Sequence, residues 1–533
     1  METIAFFLDK VQEWYKPYNL GSKLSIPTAL LAIAVLRLLF YSSNPKHNAD
    51  IKNIPIVGKE YGTWEQRSRA FASRGKEFLN EGYRKYKGGV FQVATTEGKS
   101  KEMVPILIIL FMSAHGRFIN ELRNQPDEIV SFNARAEERM LPQYSLISQK
   151  NLLGVHSVKG DLTPNLARLL PHVVDEIESA VAEDIGDCKE WTSLEIYGQV
   201  ARVVSKAGFR MFVGPDLCRN ETWIKLSIGY TATTFAGAEA IRKWHPWLRP
   251  IVYRWVPQLQ AVRKMKANAL ALLTPIINAR KAANYQADEE KPEDMLQWMY
   301  DKCSDAEKND YPYHLDLQLV LGLATIHSTT MLTTNVLYDL VSRPEYIEPL
   351  REEIQEILAQ NGGIFTKHAL EHLKKMDSFM RESQRWNPMN FSGFVRKILV
   401  PFTLSDGTYI PAGTNFEVPV YAMSRDPQIC PGPNPDIFDG YRFYNARNQS
   451  KDEANGHQLV TVTSYTMWFG YGHHACPGRF FASYKMKLML ANILLNYDVK
   501  FPDGEVERYK NMEFETNNFP DPSKVLMFKR RRG

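Results

Sequence analysis

The sequence predicts a mainly α-helical fold with a small β-rich part, and three observations carry that prediction. First, no proline interrupts a strongly apolar pattern from His314 to Ser342, and Arg343-Pro344 closes it. Leu319, Val320, Leu321, Leu323, Ala324 and Ile326 leave almost no polar face, the mark of a helix buried all round. Second, apolar residues recur at spacings of three and four in Leu373, Met376, Phe379 and Met380, and again in Phe481, Tyr484, Leu488, Ala491 and Leu495. Third, strand signals are few and short: Val90–Thr95 alternates, and Thr403–Thr414 carries Asp406-Gly407 at a hairpin turn with a Pro411-x-Gly413 exit.

The amino-terminal region has its own character. Leu24–Tyr41 is a largely apolar run that would cover about 27 Å as a helix, enough for a thin bilayer. Arg37 near its end is placed to snorkel to the interface. The run starts late and is long for a cleaved signal peptide, although a buried helix of the globular body would fit the same residues. Pro45 and Pro55 stop the helix beyond it. Lys46, Lys52 and Lys59 favour a cytoplasmic carboxy-terminal side. The expected organisation is residues 1–50 as membrane anchor and hinge, spanning at about 24–41, and residues 51–533 as one large domain without repeats or low-complexity linkers.

Composition narrows the function classes. Of 533 residues, 44% are hydrophobic and 23% charged, ordinary for a globular protein, and a net charge of +5 is too mild for a dedicated nucleic-acid binder. The basic run Lys529–Arg532 reads as a solvated tail. Five cysteines (Cys188, Cys218, Cys303, Cys430 and Cys476) without Cys-x-x-Cys spacing point to a reducing compartment with no disulfide framework.

Within the body, Glu65 to about Tyr86 is helical, Val104–Met112 is too short to span a bilayer and defaults to a buried strand, and a long helical region runs from Val158-Lys159-Gly160-Asp161 to about Val213. Helical patterns continue through Trp223–Lys281. Asp288-Glu289-Glu290 with Pro292-Glu293-Asp294 looks like an exposed acidic connection. Mid-way along the apolar helix lies Gly322-Leu323-Ala324-Thr325-Ile326-His327-Ser328-Thr329-Thr330; buried hydroxyls of this kind commonly just bond back to helix carbonyls. Glu382 and Arg385 lie three apart on one helix face.

The chemistry centres on Phe469-Gly-Tyr-Gly-His-His-Ala-Cys476-Pro-Gly-Arg479. Gly470 and Gly472 allow a tight turn and close approach of a flat partner. A thiol just before a helix feels the positive helix end, which favours the metal-binding thiolate. A lone buried structural cysteine fits such a turn too. The full pattern Phe-x-x-Gly-x-x-x-Cys-x-Gly, however, resembles the haem-binding loop of the cytochrome P450 family. The ordered set of apolar anchor, hydroxyl-bearing helix, Glu382-x-x-Arg385, Arg442 and cysteine loop extends the resemblance over the chain after residue 50.

The resemblance implies the cytochrome P450 fold and a haem-thiolate monooxygenase. Cys476 would be the axial thiolate ligand of haem b and donate electron density to its iron. Lys159, Arg396 and His474 would face the haem propionates, with Phe469 in the cofactor-binding loop. Val155 stands where the family carries Trp, and Lys159 where it carries Arg. Ala324 matches the small residue of the distal helix, but His327 replaces the family's acid, so His327, Ser328 and Thr329 share the proton-delivery assignment. Glu382, Arg385 and Arg442 would hold the cysteine loop in place, and Asn390–Phe394 with Glu515-Thr516-Asn517 would border the substrate pocket. Electrons would come from NADPH through a separate cytochrome P450 reductase, with cytochrome b5 as an optional second donor, because no nucleotide-binding glycine fingerprint follows a strand here. The likeness is to fungal secondary-metabolism members, such as oxidases of gibberellin precursors and indole diterpenes. It implies a lipophilic, terpenoid-type substrate, O2 as co-substrate, and a single-pass protein of the endoplasmic reticulum membrane with a cytosolic catalytic domain. Two rivals are a haem-thiolate peroxygenase or isomerase, and a non-enzymatic, membrane-tethered metal-binding protein using His457, His473, His474 and Cys476.

Overall fold

The computed structural model describes residues 53–96, 108–112, 117–148, 152–283, 291–449 and 455–531. The expected span at 24–41, the boundary at residue 50 and the acidic triplet 288–290 lie outside the described residues. Nine helices organise the fold: α1 (Trp64–Lys85), α2 (Leu152–Ser157), α3 (Leu166–Asp184), α4 (Ile196–Phe212), α5 (Glu221–Arg242), α6 (Pro257–Ala283), α7 (Tyr311–Val341), α8 (Lys374–Trp386) and α9 (Arg479–Asn496). The helix Ile347–Gln360 and several shorter helical segments connect them.

The apolar helix α7 is the axis of the molecule. It starts where Asp310 accepts a hydrogen bond from the Tyr313 amide and Pro312 occupies the first turn, an N-terminus satisfied by side-chain capping. By length and composition it could cross a membrane. Instead it packs along α4, α5, α6, α8 and α9, and Leu315, Leu319, Ile326, Val336 and Leu337 join the main core. Burial of each such side chain contributes about 1.5–3 kcal/mol, which explains why an almost wholly apolar helix sits at the centre.

The β-rich part is mostly antiparallel. Strands β1 (Val90–Ala94), β2 (Ile108–Met112), β3 (Val130–Ser131), β5 (Gly393–Ile398) and β8 (Asn415–Val418) form a five-stranded sheet in the order β1-β2-β8-β5-β3, with β2 and β8 parallel. The expected hairpin is β6 (Phe402–Thr403) with β7 (Tyr409–Ile410), and Gly407 at its turn has φ +88°. Strand β4 (Thr192–Glu195) joins β9 (Tyr497–Lys500) and β12 (Val525–Arg530), and β10 (Met512–Phe514) pairs with β11 (Asn517–Phe519).

Three sequence expectations need correction. The helical region from 158 to 213 is broken by β4, because Thr192–Glu195 adds an edge to β12. The basic terminus is not a loose tail through Arg531: Lys529 and Arg530 complete β12 opposite Asp498 and Tyr497, and Arg531 pairs with Asp498 at 3.2 Å. Asp294, read as part of an exposed acidic stretch, is buried; it takes both Arg280 Nη atoms at 2.6 Å and caps the helix Met295–Lys302 through the Gln297 amide.

Candidate functional site

The cysteine loop is shaped by its glycines. Gly470 has φ +74°, and a Cβ placed there would come within 2.8 Å of the His474 carbonyl oxygen. Gly472 has φ +71° and lies against the Arg123 carbonyl. The loop closes on itself where the Cys476 amide donates to the Phe469 carbonyl at 2.7 Å. Cys476 is half-buried, two residues before α9 opens at Gly478. Burial pushes its thiol up, outweighing the downward pull of the Gly478 and Arg479 amides and the Arg479 charge. The helix-end effect expected from the sequence is present, but desolvation is larger, so the thiolate here calls for a cationic partner.

Behind the loop stands a buried ionic cluster. Glu382, on α8, takes Arg385 Nε at 2.8 Å and Nη2 at 2.7 Å, and Arg442 Nε at 3.2 and 3.3 Å; the Asp439 amide adds a bond at 3.0 Å. The two guanidiniums spend their other donors on carbonyls. Arg385 reaches Pro435, and Arg442 reaches Pro431, Asn434 and Ile437. Every member of the trio is at most 3% exposed.

A second cationic group converges from three directions. A bulge in β5 between Gly393 and Arg396, with Phe394 in the left-handed region at φ +50°, re-aims the strand at Arg396. Arg396 is buried over the Phe394 ring at 4.2 Å; one Nη donates to the Val395 carbonyl, and Nη2 has no hydrogen-bond partner. Its guanidinium is pushed down to about 10 by burial. His474 packs on Phe132, lies 3.5 Å from Asp127, and has its pKa lowered by burial and then by Arg396, with Lys159 and His473 adding to the effect. Lys159 sits in a π turn, Val158–Leu162, that follows α2 and is tied to the loop by Thr163 Oγ1 donating to the Pro477 carbonyl at 3.4 Å. A buried guanidinium with an unbonded Nη2, beside the Lys159 amine and the His474 ring, is a donor set suited to an anionic ligand, and a haem's paired carboxylates fit it.

On the central helix, Ala324 is exposed although Ile326, Thr329 and Thr330 around it are buried, so α7 borders an opening in the core at this point. Ser328, one turn on, donates to the Ala324 carbonyl at 2.9 Å. Thr329 is buried, and its carbonyl accepts from Thr333. His327 is engaged elsewhere: Nε2 lies 3.0 Å from the Ile228 carbonyl on α5, and Nδ1 lies 3.3 Å from the Tyr197 hydroxyl on α4. The next helix face carries Thr325, whose hydroxyl takes Lys485 Nζ of α9 at 3.0 Å.

The two segments expected near a substrate pocket do meet: Asn390 bridges Asn517, and the Phe391 amide donates to the Thr516 carbonyl at 2.7 Å. By contrast, among the described residues no group of three or more His, Cys, Asp or Glu side chains could hold a metal ion. His457, His473, His474 and Cys476 therefore do not assemble the site that the metal-binding rival needs. Sequence reasoning missed Tyr197, Asp127 and Lys485. Only Lys485 left a trace, as a charge inside an apolar helical stretch.

The sequence model of the family described as Cytochrome P450 matches residues 173–527. The chain is 36% identical over 480 residues to the cytochrome P450 monooxygenase braC of Annulohypoxylon truncatum, covering 90% of this chain and 93% of that one. It is 32% identical over 515 residues to the ent-kaurene oxidase of Gibberella intermedia, covering 94% and 91%. Among solved structures, the retinoic acid-bound cyanobacterial CYP120A1 superposes with a TM-score of 0.61 at 18% identity, over 87% of this chain and 96% of that chain.

Proposed function

The chain belongs to the cytochrome P450 family of haem monooxygenases, and on that premise we propose that Cys476 would hold the haem iron and that the protein oxidises a lipophilic secondary metabolite. The observation that carries this reading is the loop from Phe469 to Gly478, closed by its own backbone bond and backed by the Glu382–Arg385–Arg442 cluster. Haem, when bound, supplies the activation of O2 and the transfer of an oxygen atom to a substrate C–H bond.

The protein's part is positional. Cys476 offers a thiolate from a half-buried loop. Arg396 and Lys159 would neutralise the cofactor's carboxylates, with the His474 ring beside them to donate a hydrogen bond, and Phe469 holds the loop through its carbonyl. Glu382, Arg385 and Arg442 keep the loop rigid. Ser328 and Thr329, on the helix that opens at Ala324, are the hydroxyls that pass protons inward.

Electrons come from NADPH through a partner reductase, with cytochrome b5 as a second donor, and the apolar run at 24–41 anchors the chain in the endoplasmic reticulum membrane with a cytosolic catalytic domain. A terpenoid-type intermediate of a fungal pathway is the substrate class. The likeness to a protein named ent-kaurene oxidase supports it.

The test is the absorption spectrum of the reduced carbon monoxide adduct of the full chain, with and without Cys476→Ser. Wild type should show the red-shifted Soret band of thiolate-ligated haem, and the variant should lose it. A wild type without that band overturns the ligand assignment. Product formation that persists without NADPH and reductase would overturn the electron route and favour the peroxygenase or isomerase reading.

A further inference from the structure

His327 occupies the position where proton delivery was expected, yet both of its ring nitrogens are engaged by other helices. The Ile228 carbonyl 3.0 Å from Nε2 can only accept, so Nε2 carries the hydrogen. Burial lowers the His327 pKa, which favours the neutral ring, and a neutral ring with its hydrogen on Nε2 leaves Nδ1 as an acceptor. The Tyr197 hydroxyl, 3.3 Å from Nδ1, is then the donor. Burial pushes that phenol up to about 12, so it keeps its proton throughout the physiological range. Tautomer and ring orientation follow from two neighbours on two different helices.

The consequence is mechanical. Tyr197 begins α4, Ile228 lies within α5, and His327 sits mid-way along α7, so one imidazole ties three helices beside the opening at Ala324. Ala324 and Ser328, four residues apart, share a helix face, and the rotation of α7 decides what that face presents. On another face, the Lys485–Thr325 bond ties α7 to α9, the helix that follows the cysteine loop.

We propose that Tyr197 and His327 are positioning residues of the oxygenase site: Tyr197 fixes His327 as a donor to the Ile228 carbonyl, and this tether sets the rotation of α7 instead of delivering protons. This rests on the haem-monooxygenase reading above. Proton delivery then falls to the hydroxyls of Ser328 and Thr329.

Glutamine can imitate the tether, because its amide donates through nitrogen and accepts through oxygen, but it cannot titrate. Full-chain protein carrying His327→Gln, His327→Leu or Tyr197→Phe is compared with wild type in two measurements, using carbon monoxide as the probe. The first is amide hydrogen exchange of residues 322–330 and 224–232. Losing one hydrogen bond of the tether should speed exchange about three- to tenfold in Tyr197→Phe, losing both should speed it at least as much in His327→Leu, and His327→Gln should leave it unchanged. The second is the C–O stretching band of the reduced carbon monoxide adduct from pH 5.5 to 8.5, which a structural role alone would not make pH-dependent. A tethered, neutral His327 leaves wild type and His327→Gln with the same pH profile of the band.

A wild-type band that titrates, with the titration abolished by His327→Gln, overturns the proposal and makes His327 a proton carrier. Unchanged exchange in Tyr197→Phe overturns the role of Tyr197. A flat wild-type series upholds the first point even if a variant does not fold; a titrating one is assigned by His327→Gln and Lys485→Met together, because Lys485 on α9 titrates in the same range. Absence of any carbon monoxide adduct in wild type would refute the haem reading itself, a different failure.

Discussion

Arg442 Nε stands 3.2 and 3.3 Å from the two carboxylate oxygens of Glu382, sixty residues earlier in the chain and fully buried. With Arg385 on the other side, that carboxylate receives at least four charge-assisted bonds, and each guanidinium is completed by backbone carbonyls. Such a trio is costly to form and costlier to break, because the survivors are stranded without water.

Glu382→Ala should therefore destabilise the protein by roughly 3–5 kcal/mol, since it leaves two buried guanidiniums facing each other. Denaturant unfolding of the haem-loaded protein measures this, with haem content of freshly purified variant as a second readout. A loss below about 1 kcal/mol, the range of an exposed pair, would mean that the cluster does not carry the loop.

Lys485 gives a pH prediction. Its amine is buried, bonded to the Thr325 hydroxyl and set 4.7 Å from the Phe481 ring centre, and burial pushes its pKa down to about 7. An unfolded lysine titrates near 10.4, so between the two values the unfolded chain binds more protons than the folded one. Stability should rise with pH from about 7 towards 10, be complete above the unfolded value, and be lost as pH falls through the folded one. The full difference is about 5 kcal/mol as an upper bound. Lys485→Met should flatten the slope and raise stability at pH 7. Thermal unfolding between pH 6.5 and 9.5 checks both, and an unchanged slope in the variant would show that the slope has another source.

What was legible in the sequence divides along the range of the interactions. Glu382 and Arg385 are three residues apart on one helix, so periodicity places them together, and α7 announces itself by having no polar face. Arg442 was reachable only through the order of motifs, because nothing local to it marks a partner sixty residues away. Asp294 was misread because a run of acids usually faces water; its partner Arg280 lies at the end of another helix, and packing alone brings them together. For His327 the sequence shows only the hydroxyl-bearing neighbours; its contacts, Tyr197 and Ile228, are set by how α4 and α5 cross α7. The terminal strand was hidden by its basic residues, although Leu526 and Phe528 alternate as buried positions.

Gly470→Ala should damage the cysteine loop. An alanine at φ +74° costs about 1–2 kcal/mol in backbone strain alone, and its Cβ would meet the His474 carbonyl. The bond from the Cys476 amide to the Phe469 carbonyl spans this turn, so the loop should open where the haem is held. The expected outcome is a lower haem-to-protein ratio and a weaker carbon monoxide Soret band, at normal expression. Gly504→Ala serves as a control: it replaces another glycine of positive φ, but nothing lies within 4 Å of its added Cβ. Equal haem content in the two variants would remove the close approach as the cause.

Arg396 carries the last prediction. Its buried Nη2 has no hydrogen-bond partner among the described residues, and its charge is held in place by the bulge in β5 and two aromatic rings, so an anionic ligand can complete it. Arg396→Met keeps most of the volume and removes the charge. If the guanidinium binds a haem carboxylate, loss of that charge-assisted bond, worth about 1.5–3 kcal/mol, should speed haem release to excess apomyoglobin by roughly ten- to a hundredfold. Lys159→Met should have a smaller effect, because Lys159 is exposed and its charge is screened by water. A release rate in Arg396→Met equal to wild type would remove Arg396 from the cofactor site and leave His474 to carry that interaction.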